Sequence, residues 1–342
     1  MIRGAVFRTA AWAFAAALLA GGGYFLFAPR ETAHTEARHP IASQIVWNHQ
    51  ALLPLSPVVP PSLEKAQLGE RLFFDPRLSR DNSIACGTCH DLLKGGTDQK
   101  KISVGIDGQM GAINAPSVFN ASLNFVQFWD GRAATLEKQA AGPVHNPLEM
   151  GSNWTEAIAK LSQDASYRAA FKKLYPGGIS GDAITDAIAA FERTLLTPNS
   201  RFDRFLMGDP TALDSLEQTG YQRFQALGCA SCHQGAGIGG NMFQRFGIMA
   251  DYFKDRPENP ADLGRYNVTG KDEDRHVFKV PGLRNVALTA PYFHDGSAQT
   301  LDKAVLIMGR YQLGRELSQD DVDAIVAFLH TLTGEWRGTP LQ

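Results

Sequence analysis

All four cysteines of this 342-residue chain fall in two pentapeptides, Cys86-Gly87-Thr88-Cys89-His90 and Cys229-Ala230-Ser231-Cys232-His233. The C-x-x-C-H spacing is the pattern of covalent c-type haem attachment. Two thiols three positions apart on one helical turn can each bond a vinyl group of the same porphyrin. The next residue then brings an imidazole under the iron as its proximal ligand. Other chemistries use paired cysteines. A zinc module needs no His after each pair, and the pairs lie 143 residues apart. A thioredoxin-type pair follows a strand in a βαβ unit, and no such pattern surrounds either site. Two structural disulfides would suit an exported chain. The His after both pairs favours two covalently bound haem c groups, with His90 and His233 as iron ligands.

The elements that position these sites are duplicated. Pro116-Ser-Val-Phe-Asn120 recurs as Pro281-Gly-Leu-Arg-Asn285, Phe128-Trp-Asp-Gly131 as Phe293-His-Asp-Gly296, and Thr135-Leu-Glu-Lys138 as Thr300-Leu-Asp-Lys303. Every pair is offset by 165 without a gap, and ten of the twenty-three positions from 116 to 138 are identical. The period is far too long for a solenoid and indicates two homologous haem domains. Ala183, Ile184, Ala187, Ile188, Phe191 and Leu195 keep helical spacing, as do Val322, Ile325, Val326 and Leu329 behind a Ser318-x-x-Asp321 cap. Residues 155–174 and 214–226 also read as helices, and no run alternates convincingly as a strand. The expected fold is all-α: two tandem cytochrome c-like domains with long loops, over 61–199 and 200–342.

A duplicated protein divides labour where its repeats disagree. Each iron has one further axial position, and its occupant separates electron transfer from chemistry. In the second half Met242, Met249 and Met308 are candidate ligands. The repeat equivalent of Met308 is Pro143, which cannot ligate iron. The first half offers Gln139, His145 and Glu149 near its haem, and Gln139 aligns with Ala304. Beside an open iron, a carboxylate can move a proton between the two oxygens of a peroxide while an amide hydrogen-bonds the departing one. An exposed acid near a helix end is the plainer reading of Glu149.

Composition sets the outer limits. Lys and Arg number 33 against 35 Asp and Glu, so no basic excess exists to hold nucleic acid. Hydrophobic residues at 44% and charged residues at 20% describe an ordinary globular chain. Arg3 and Arg8 precede an uncharged apolar stretch from Thr9 to Ala28, long enough to cross a bilayer. Residues 1–30 read as an uncleaved signal anchor or a signal peptide. Residues 31–60, with Pro54, Pro57, Pro60 and Pro61 near their end, read as a tether. Both readings export the rest, and the anchor would hold it to the inner membrane.

The chain from about Leu68 to Gly334 resembles the bacterial di-haem cytochrome c peroxidase family, which also includes a maturase of methylamine dehydrogenase. The likeness rests on both C-x-x-C-H sites, Asn114-Ala-Pro116, Phe128-Trp-Asp-Gly-Arg132, Asn146-Pro-Leu-Glu-Met150, Pro291-Tyr-Phe-His-Asp-Gly296 and Tyr311-Gln-Leu-Gly314. It implies a periplasmic enzyme whose C-terminal, high-potential haem takes electrons from a small cytochrome c or blue-copper cupredoxin. The N-terminal, low-potential haem then reduces hydrogen peroxide to water. By the same resemblance, Glu149 is the acid/base, Gln139 its partner, Trp129 the bridge between haems and Met308 the second sixth ligand. Asn114, Thr289 and Pro291 match a family calcium site, for which oxygen ligands are suitable. Homodimers are common in the family. Many members carry a His in the loop after the first haem, which caps the iron until the second haem is reduced. Here Ile106 stands at that position, so the first iron is expected open, unless Met110 caps it. The maturase has Tyr in place of the Met ligand, which sets Met308 against that activity; Tyr311 lies three residues on. The remaining alternatives are a partner-modifying oxidase and a non-catalytic di-haem electron carrier.

Overall fold

The longer helices start where the sequence offers an oxygen to their open amides. In the computed structural model, which describes residues 51–56, 62–257 and 259–342, Ser62 caps α1 (Leu63–Phe73) and Thr135 caps α3 (Leu136–His145). Between them, α2 (Cys86–Cys89) is one short turn. Asn153 caps α4 (Trp154–Leu161), Asp164 caps α5 (Ala165–Leu174) and Ser180 caps α6 (Gly181–Glu192). In the second half come α7 (Arg201–Leu206), α8 (Ser215–Ala226), α9 (Tyr266–Thr269), α10 (Leu301–Ile307) and α11 (Gln319–His330). The expected single helix over 155–174 is two helices, because the Asp164 carboxylate accepts from the Ser166 amide at 2.8 Å and starts a new one.

Two small two-stranded sheets depart from the all-α expectation. β1 (Phe243–Arg245) pairs antiparallel with β2 (Val277–Lys279), and β3 (Glu335–Trp336) with β4 (Thr339–Pro340). Each is too short to show an alternating pattern in the sequence.

The duplication is physical as well as sequential. A Cβ on Gly69 of α1 would lie 1.8 Å from the Ala187 carbonyl oxygen of α6, and one on Gly220 of α8 would lie 1.8 Å from the Ala324 oxygen of α11. Both helix pairs therefore cross at the same glycine contact. Asn120 and Asn285 share left-handed backbone, as do Phe128 and Phe293, each pair 165 residues apart. The two Asn side chains converge on one hydroxyl: each Nδ2 lies within 3.0 Å of Thr197 Oγ1.

Each half has its own hydrophobic cluster. The first is built from residues such as Leu72, Phe73, Val144, Ile184 and Phe191, the second from Phe202, Phe224, Val305, Phe328 and Leu332. The ends of the described residues cross over. Trp336 and Leu341 pack on the first cluster, and Leu52 belongs to the second. Leu52 and Leu55 are buried although the sequence placed them in the tether. The cause is a fully buried ion pair, Arg284–Asp203 at 2.8 Å. Its free donors and acceptors take the Leu53 carbonyl at 3.1 Å and the Leu55 amide at 2.9 Å. Among the described residues no helix is long and apolar enough to cross a membrane. The anchor expected at Thr9–Ala28 lies outside the described residues.

Candidate haem sites and the residues between them

Each C-x-x-C-H segment folds as a tight turn that returns its His beneath the cysteines. The His90 amide donates to the Cys86 carbonyl and the His233 amide to the Cys229 carbonyl, both at 3.0 Å. The imidazoles are then oriented by backbone carbonyls. His90 Nδ1 lies 3.3 Å from the Gly96 oxygen, and His233 Nδ1 lies 3.2 Å from the Pro281 oxygen. With Nδ1–H donating there, the Nε2 lone pair is left for a metal. Burial lowers both pKa values, His233 to about 4, so the rings stay neutral as iron ligation requires. Pro281 and its repeat equivalent Pro116 each present a backbone carbonyl to their proximal His.

The four cysteines form no disulfide with one another. Burial pushes Cys86 up to about 12 and Cys229 up to about 11. Among the described residues the group with metal-sized spacing is Asp262, His294 and Asp295. There Arg256 pairs with Asp295, and Asp262 bonds His294 Nε2 at 2.6 Å, so the carboxylates are satisfied within the protein. The donor set and the half-buried thiols fit two haem c groups.

Around the second pair, Cys229, Cys232, His233 and Met308 line one cavity, completed by apolar residues including Leu301, Val305, Ile325 and Leu329. Met308 opens a five-residue wide turn, Met308–Gln312, that continues α10, and such turns often mark functional sites. Tyr311 does not line this cavity; its ring packs edge-on against Tyr252 at 5.1 Å. Met249 is exposed, and Met242 does not line the cavity.

Around the first pair, Glu149 is the acid whose charge bears on both cysteines, Cys86 and Cys89. It follows α3 in a turn where Asn146 Nδ2 donates to Glu149 Oε1 at 2.7 Å. Burial raises its pKa, while Asn146 and the Arg132 charge pull it down. Gln139 is half-buried on α3, one turn before Pro143. His145 points elsewhere: it is exposed, bonds the Ala141 carbonyl and packs on Trp154. Ile106 is 1% exposed, and its amide donates to the Glu149 carbonyl at 2.9 Å. The loop is thereby pinned to the Glu149 turn, with Met110 58% exposed.

Glu192 is a group that the sequence reading missed. It ends α6, is 5% exposed, and its Oε2 has no hydrogen-bond partner. Burial pushes its carboxyl up to about 8, and its charge bears on Cys86. The glycine crossings align Phe191 with Phe328, hence Glu192 with Leu329, which lines the second cavity. The signal was present: residue 192 follows Ile188 by four on an otherwise apolar helix face.

Trp129 lies between the halves. Its indole N–H donates to the Asn114 carbonyl at 3.0 Å, and its own carbonyl accepts from the Lys279 amide at 2.8 Å. Asn114, Trp129, Thr289 and Pro291 all line the cavity of the second cysteine pair. Asn114 spends its amide N–H on the Lys100 and Lys101 carbonyls at 2.8 and 3.3 Å, which leaves Oδ1 as its free ligand atom.

Residues 63–211 match the family model for di-haem cytochrome c peroxidase, and residues 217–333 match cytochrome c. The chain is similar to the cytochrome c peroxidase Ccp of Escherichia coli K12, with 52% identity over 84% of this chain and 62% of that protein. It therefore spans less than two thirds of that relative's length. It is 49% identical to cytochrome c551 peroxidase of Nitrosomonas europaea, over 84% of this chain and 85% of the relative. A solved MauG-like protein associated with microbial copper homeostasis superposes with a TM-score of 0.73 at 31% identity, covering 83% of this chain and 93% of its own. With one relative matched at near half identity along most of both chains, this protein belongs to the di-haem cytochrome c peroxidase family.

Proposed function

We propose that this chain is a cytochrome c peroxidase that reduces hydrogen peroxide to water in the periplasm. Its electrons come singly from a small soluble donor, a cytochrome c or a cupredoxin. When bound, the two haems supply reversible one-electron chemistry, and the first also supplies an open coordination site for peroxide. His90 and His233 would offer their Nε2 atoms to the two irons, and the Met308 thioether would be the second axial ligand of the second iron. Glu149 would serve as the acid/base that moves a proton between the two oxygens of the peroxide. Gln139 donates a hydrogen bond to the departing oxygen. Trp129 carries electrons between the halves. Asn114 Oδ1 and the Thr289 and Pro291 carbonyls are suited to a calcium ion that stiffens this junction. The segment before residue 51 serves export and would tether the enzyme if it stays uncleaved, and a homodimer is compatible with the family.

The observation that carries this reading is Glu149, a carboxyl raised by burial and held by Asn146, whose charge bears on both cysteines of the first pair. A pure electron carrier has no use for it. A partner-modifying oxidase is less favoured because Met308, not Tyr311, lines the second cavity. Glu149→Gln tests the reading. It should cut peroxide turnover by about a hundredfold or more while the second haem still accepts electrons from its donor. Unchanged turnover would remove the assignment.

A further inference from the structure

The cavity around Cys229, Cys232, His233 and Met308 is lined by Arg245, Lys279 and Arg284 and by no carboxylate among the described residues. Arg284 is neutralised by Asp203. Arg245 lies at an exposed strand position. Lys279 is different: it is 6% exposed and forms no ion pair with a described acid. Burial alone pushes its amine down to about 8. A lone ammonium in such surroundings is costly unless an anion arrives to meet it. A haem brings two carboxylates of its own.

We propose that Lys279 is the counter-ion of the second haem, its ammonium pairing with one propionate carboxylate and so favouring the reduced state of that haem alone. This rests on the reading above that the cavity takes a covalent haem. Three observations support it. First, Lys279 lines the same cavity as the attachment cysteines. Second, its repeat equivalent, 165 residues earlier, is the neutral Asn114, so this repeat position carries a cation in the second half only. Third, its backbone amide holds the Trp129 carbonyl at 2.8 Å, which joins the periphery of the second haem to the bridging residue. A fixed positive charge at the haem edge stabilises the ferrous form, which carries one positive charge fewer, and so raises the reduction potential. Lys279 is thus a positioning and tuning residue, and it touches no substrate.

The test is Lys279→Gln in the full-length holoprotein, with Lys279→Arg as control. Haem content is read as pyridine haemochrome and each haem is titrated spectroelectrochemically. We expect two haems per chain and an unchanged first haem. At the potential where the wild-type second haem is half reduced, its ferric-to-ferrous ratio should rise about tenfold, or about 59 mV for one electron. Arginine should restore the wild-type titration. Superimposable titrations of wild type and Lys279→Gln, both fully loaded, would overturn the proposal. If the Gln variant fails to fold, resonance Raman of the wild type in H2O and D2O decides. Propionate bending bands of the second haem that ignore deuterium would overturn it, since an N–H donor must shift them. A wild-type chain lacking the second haem would instead sink the functional reading itself.

Discussion

Trp129 and His294 occupy the same position of the two repeats and meet edge to face, their ring centroids 6.3 Å apart. The repeats thus converge at this point and differ in chemistry there. His294 is buried, bonded to Asp262 and stacked on Phe278 at 4.4 Å, which makes it a rigid backing. The indole faces the second cavity. Replacing Trp129 with Phe should slow peroxide turnover at least tenfold, read in steady-state assays, while donor reduction of the second haem keeps its rate. The lost indole bond should cost only about 1 kcal/mol of stability. Equal turnover in the variant would exclude the bridge.

Glu149 must be ionised to accept a proton, so turnover should fall as pH drops through its raised pKa. Asn146 and Arg132 both hold that pKa down against burial. Asn146→Ala and Arg132→Ala should each move the acid limb of the pH–rate profile to higher pH, with several-fold loss on its acid side and little change on its plateau. A limb that stays fixed in both variants would place the titrating group elsewhere.

Ile106 cannot ligate iron, and its backbone is tied to Glu149. The fully oxidised enzyme should therefore turn over peroxide without a reductive activation lag, followed by stopped-flow mixing. A clear lag that disappears on pre-reducing the second haem would count against an open first iron.

The glycine crossings make a stability prediction. Gly69→Ala and Gly220→Ala place a methyl group 1.8 Å from a carbonyl oxygen, which forces the helix pair apart. Each should cost about 1–3 kcal/mol and lower the melting temperature measured by circular dichroism. Gly177→Ala, with nothing within 4 Å of the new methyl, should stay within about 0.5 kcal/mol of wild type.

Local patterns were legible from residue order alone. The C-x-x-C-H turns, the repeated Pro-x-x-x-Asn and Thr-Leu-x-Lys segments and the helix caps are written over a few neighbouring residues, because covalent attachment and capping are short-range geometry. The divergence of Trp129 from His294 and of Met308 from Pro143 was readable for the same reason. What required tertiary structure is what depends on burial and distant partners. Nothing near residue 52 announces that Arg284 and Asp203 will hold it. No local pattern says that Glu192 stays unpaired beside Cys86, that Met308 rather than Met242 or Met249 lines the second cavity, or that Lys279 enters it without an acid. Charge and sulfur acquire their chemistry from the solvent they lose, and only the folded chain fixes that loss.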